Sequence, residues 1–72
     1  MLFKSHCYLT HKHGGIYIDA PYDEDFIDAL KRHVPPEHRQ WKPEIKQWWV
    51  SEKYAAQAER TARAHFENVM EV

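Results

Sequence analysis

Histidine, cysteine and carboxylate side chains are the usual carriers of acid–base, nucleophilic and metal chemistry. His6, Cys7, His11 and His13 fall within the first thirteen residues. Side chains two apart on an extended segment point the same way, so His11 and His13 could chelate. Structural zinc asks for four ligands, often with cysteine among them, and Cys7 lies on the opposite side of the strand from His6. Surface histidines and no metal are therefore expected. Asp19, Asp23, Glu24, Asp25 and Asp28 form an acidic run with no base between residues 19 and 28. Such a run is raw material for a divalent-metal nuclease. Asp23, Glu24 and Asp25, however, fall at a helix start, where the dipole favours carboxylates. No buried neighbour is evident that would raise a carboxyl pKa for proton transfer. Ser51 and Cys7 lack a fixed base and an orienting partner. No catalytic residue, no metal and no cofactor is expected, and the chain does not read as an enzyme.

Stacking and phosphate contact are the chemistries that remain. All three tryptophans, Trp41, Trp48 and Trp49, lie around one proline turn. Lys31, Arg32, Arg39, Lys42 and Lys46 stand against Glu37 and Glu44 between residues 31 and 46, a local charge of +3. Aromatic rings interleaved with lysine and glutamine suit unpaired bases, each stack contributing about 1–3 kcal/mol. Phosphate contacts would make such binding strongly salt-dependent. The whole chain has a net charge of −1, so bulk charge carries no nucleic-acid signature. Protonating its six histidines would move that charge from −1 to +5, and affinity for an anionic partner should rise as pH falls. Exposed aromatics also mark protein interfaces, and a charge run is also what a solvated face looks like.

The elements that must position these residues follow from periodicity. Leu2 to Thr10 alternates, with Phe3, Cys7 and Leu9 on one face and Lys4, His6, Tyr8 and Thr10 on the other. The Gly14-Gly15 pair supplies the positive φ of a hairpin turn. Ile16 to Ala20 returns, with Ile16, Ile18 and Ala20 inward and Tyr17 and Asp19 outward. Asp23 is a good N-cap, and Tyr22 could staple onto Ile27. Phe26, Ile27, Leu30 and Val34 make a helical stripe, which Pro35-Pro36 ends. Lys42-Pro43-Glu44-Ile45 suits a type I turn joining two strands. Trp41, Trp48 and Val50 are then inward, and Gln40, Lys42, Gln47 and Trp49 outward. Ser51 can cap a last helix running to about residue 70, with Tyr54, Ala58, Ala62, Phe66 and Val69 on its buried stripe.

Within this order, Ala20-Pro21-Tyr22-Asp23, Phe26-Ile27 with Leu30-Lys31, Val34-Pro35, Trp41-Lys42-Pro43-Glu44 and Lys46-Gln47-Trp48-Trp49-Val50 form a series. The series resembles the HARP domain, the short accessory domain of annealing helicases. The likeness covers about residues 16–55. It implies recognition of branched DNA where single and double strands meet. The exit Pro35-Pro36-Glu37-His38-Arg39 is longer than is usual in that family. No GxxxxGK[ST] motor motif accompanies the domain.

With 72 residues the chain makes one domain with a small core. The expected fold is α+β, in the order β-β-α-β-β-α: a curved, four-stranded antiparallel sheet with both helices on one face. The expected core is Phe3, Leu9, Ile16, Ile18, Phe26, Ile27, Leu30, Trp41, Trp48, Val50, Tyr54, Ala58, Ala62 and Phe66. The expected nucleic-acid surface comprises Lys31, Arg32, Arg39, Lys42 and Lys46 for phosphates and Trp49, Tyr8 and Tyr17 for bases. Its partner would be branched or single-stranded DNA. A protein partner or a second copy, docking on the same aromatic face, is the alternative. The single cysteine excludes an internal disulfide and fits a reducing compartment. Neither a secretory signal nor a membrane-spanning run is evident, so a cytoplasmic location without membrane contact is expected.

Overall fold

Strand periodicity at both hairpins carries through to the tertiary structure. The computed structural model describes residues 6–72. Leu2, Phe3 and Lys4, assigned above to a strand, its core and its outer face, lie outside the described residues. β1 (His6–Lys12) pairs antiparallel with β2 (Gly15–Asp19), and β2 pairs antiparallel with β4 (Gln47–Ser51). β3 (Arg39–Lys42) pairs antiparallel with β4, and β5 (Asn68–Glu71) runs parallel to β1. The order across the sheet is β3-β4-β2-β1-β5. The sheet is thus mixed rather than antiparallel, five-stranded rather than four-stranded, and not curled.

The fifth strand is the main departure from expectation. α2 (Ala55–His65) stops at His65, and Phe66 is already extended at φ −125° and ψ 142°. Asn68 to Glu71 then pairs along β1, and the Val72 N–H donates to the Leu9 carbonyl at 2.9 Å. Without this strand β1 would leave a row of backbone donors and acceptors open. Filling that edge outweighs the further turn of helix expected from Phe66 to about residue 70. Val69 still packs against the core, but from a strand.

α1 (Glu24–His33) begins as expected, with the Phe26 N–H donating to Asp23 Oδ1 at 3.0 Å. It ends at Val34, which is extended ahead of the prolines. Tyr22 does not staple the helix, because it stays 82% exposed. Ser51 does not cap α2 either. A 3₁₀ turn over Glu52–Tyr54 intervenes, and the Ser51 hydroxyl bonds His38 Nδ1 at 2.8 Å instead.

One core joins the two helices to one side of the sheet. Cys7, Leu9, Ile16, Ile18 and Val50 meet Phe26, Leu30, Val34, Ala55, Ala58, Ala62 and Phe66. The three small alanines of α2 let its backbone lie close. Phe26 and Phe66 meet edge to face at 5.0 Å, a geometry that adds to simple burial. Trp48, Tyr54 and Ile27 are only partly buried against this core. Trp41, expected inside, is 48% exposed. It points to the helix side, but β3 is the sheet edge and helical cover ends before it. No helix among the described residues is long and apolar enough to cross a membrane.

Candidate functional site

The β1–β2 turn sets one end of the open sheet face. Lys12 pairs with Gly15, so the loop is His13-Gly14, and both have positive φ (56° and 73°). The glycine pair was expected to supply that conformation. Gly15 instead lies in β2 and serves a different need. A Cβ there would stand 2.2 Å from the Val50 carbonyl oxygen and 2.8 Å from two atoms of the Trp49 ring. The Trp49 indole therefore lies over Gly15, which leaves room for it. Trp49 is half-buried, and its Nε1–H is enclosed without an acceptor among the described residues.

Tyr17 is the direct cross-strand partner of Trp49, and Gln40 flanks Trp49 on the other side. His13, Tyr17, Gln40, Lys42 and Trp49 line a shallow hollow of about 330 Å³. The Tyr17 hydroxyl bonds His13 Nδ1 at 3.1 Å, and Lys12 Nζ lies 5.9 Å from the Tyr17 ring centre. Lys12 shares strand parity with Tyr8, so alternation alone could have placed it here. Tyr8 sits farther along the same face, stacked on His6 with centroids 6.5 Å apart, beside Asp19 and Met70.

The five expected phosphate contacts do not share this face. Lys42 alone joins the aromatics. Arg39 Nε donates to the Val34 carbonyl at 3.0 Å, tying β3 to the end of α1. Arg32 is exposed on α1. Lys31 and Lys46 line a second site, on the helix side. There Ile18, Ala20, Pro21, Tyr22, Phe26, Ile27, Trp41, Lys46 and Trp48 enclose an apolar cleft of about 300 Å³. It opens past Lys31 along Tyr22, Ile27, Trp41 and Trp48. The rings of Trp41 and Trp48 meet at 5.5 Å, tilted by 57°. Treating both tryptophans as core concealed this cleft. The signal for it was the position of Trp41 on an end strand, with Trp48 on the strand beside it, which pairing order alone reveals.

Three other candidates resolve simply. His13 turns toward Tyr17 on the open face, whereas His11 pairs with Ile16 in the row facing the helices. The two therefore do not chelate as a pair. Cys7 is fully buried, and burial, with a smaller push from Asp19, raises its thiol to a pKa of about 11. A thiol held protonated in this way is a poor nucleophile. Among the described residues no three histidine, cysteine or carboxylate side chains are grouped to hold a metal. Comparison with protein-family models, curated proteins and solved structures returned no match.

Proposed function

We propose that this protein is a small non-enzymatic DNA-binding module that holds unpaired bases on its open sheet face. The observation that carries the reading is the Tyr17–Trp49 cross-strand pair on the face no helix covers, with Lys42 and Gln40 in the same hollow. Lys12 brings a second cation to that pair. Two adjacent rings between two lysines suit a short single-stranded stretch, each base stacking on a ring and its phosphates facing the ammonium groups. Lys42 and Trp49 fall within the stretch that resembles the HARP domain, which favours junctions of single and double strands as the target. Tyr8 would extend the path along β1. Lys31, Lys46 and Arg32 would add at most a distant field.

The test is fluorescence anisotropy with labelled single-stranded, duplex and forked DNA at about 50 and 200 mM salt, where phosphate contacts show their slope. Binding that favours unpaired strands and weakens steeply with salt is expected. The double variant Lys12→Glu/Lys42→Glu should lose at least tenfold while its thermal unfolding is unchanged. Equal affinity of that variant and the parent would refute the reading.

A second reading, docking of a protein on the same sheet face, draws on the other end of it. There Tyr8 and Met70 are exposed side by side next to Asp19. Partner binding that ignores salt and is lost in Tyr8→Ala would favour it.

A further inference from the structure

The cleft between Tyr22, Ile27, Trp41 and Trp48 is unused by the open sheet face and lies on the other side of the sheet. We infer that it is a docking site for a short protein segment that carries one bulky apolar anchor with a carboxylate beside it. This inference is independent of the DNA reading.

The size and lining of the cleft set the anchor. About 300 Å³ of apolar space, walled by two tilted indoles, accepts one large side chain such as Leu, Phe or Trp. Aromatic walls of this kind supply most of the affinity at protein contacts. Tyr22 is 82% exposed and Trp41 48% exposed, so Tyr22 keeps most of its surface for a partner and Trp41 about half.

Charge sets the flank. Lys31 and Lys46 stand at the rim, and neither takes part in an ion pair among the described residues, where Arg63–Glu59 is the one pair formed. Lys46 is held there against its backbone preference, with φ at 57°. A residue in that conformation costs less as Gly or Asn, so Lys46→Gly removes the side chain without straining the turn. Asp23, Glu24 and Asp25 follow the cleft residue Tyr22 directly, at the start of α1. A nucleic-acid strand carries charge along its whole length and would be repelled there. A peptide can set one carboxylate against the lysines and remain uncharged beside the acidic first turn of α1.

The experiment begins with a phage-displayed library of random 12-residue peptides selected on the intact 72-residue protein. The most enriched sequence is then synthesised with a fluorescent label and titrated. Enriched sequences should pair an aromatic residue or Leu with Asp or Glu within a few positions. The synthetic peptide should lose at least tenfold in affinity on Trp41→Ala, on Lys31→Glu and on Lys46→Gly. Lys46→Gly should fold at least as well as the parent, which separates loss of binding from loss of structure. Lys12→Glu/Lys42→Glu should leave peptide affinity within twofold. No enrichment, enrichment of basic or uncharged sequences, or affinity that survives Trp41→Ala would each overturn the inference. So would displacement of the peptide by a single-stranded oligonucleotide. A concentration-dependent dimer in sedimentation that Trp41→Ala abolishes would also overturn it, by making a second copy the occupant.

Discussion

Trp48 and Trp49 are consecutive residues of β4 and belong to different surfaces. Trp49 lies over Gly15 beside Tyr17, on an open face with lysine and glutamine around it. Trp48 turns to the helix side, meets Trp41 and closes an apolar cleft. Strand alternation separates them, and each is then finished by a different neighbour: a glycine under one ring, a second indole against the other. The first surface is shallow, polar at its rim and suited to planar groups. The second is deeper and apolar, open along one side past Lys31. Two surfaces of such different shape thus need only the pleat of one strand.

The difference can be broken most severely at Gly15. Gly15→Val should destabilise the protein by about 3 kcal/mol or more, beyond the usual cost of overpacking, because the added atoms meet the Val50 backbone as well as Trp49. Urea unfolding measures this, and a loss below about 1 kcal/mol would mean that Trp49 does not depend on the glycine. The cleft side of the sheet packs on the core that contains Cys7, whose titration gives the next effect. The folded thiol keeps its proton to about pH 11, whereas the unfolded chain releases it near 9.0. The unfolded state therefore binds fewer protons in that window, and stability falls as pH rises from about 9 to 11. At about 1.4 kcal/mol per pKa unit the loss approaches about 2–3 kcal/mol, and Cys7→Ala should flatten it.

Trp48→Ala and Trp41→Ala sharpen the contrast inside the cleft. Trp48 is partly buried against the core, so its removal should cost about 2 kcal/mol, less than a fully buried tryptophan. Trp41 is half-exposed and should cost under about 1 kcal/mol. Equal losses would place Trp41 in the core after all. The smallest effect should be a gain: Lys46→Gly relieves a left-handed residue and should stabilise by about 0.5–1 kcal/mol. A loss on that change would show that the Lys46 side chain supports the fold.

Much of the local structure was legible in the residues. Asp23 caps α1, Pro35-Pro36 follows its end, and the turn after Lys42 closes with the Ile45 N–H on the Lys42 carbonyl at 3.3 Å. Each of these depends on residues a few positions apart. The outward placement of Tyr17 and Trp49 was legible for the same reason, since alternation is a local rule. Their meeting as one hollow required the register of β2 against β4. The spread of the five cations over different faces was not legible either, because closeness in sequence does not fix closeness in space.

The sequence alone determined the two hairpins, the first helix with its cap, and the parity that sends Trp48 and Trp49 to opposite sides. Those are properties of the backbone and its nearest neighbours. Tertiary structure alone decided that residues 68–71 leave the helix to pair with β1, that β3 stands at the edge, and that the helices stop short of Trp41. Helical periodicity over Phe66 and Val69 was real, yet an unpaired strand edge exerts a pull that no local pattern encodes. The cleft exists for the same reason: what covers a side chain depends on which elements become neighbours, and that is settled only when the whole chain packs.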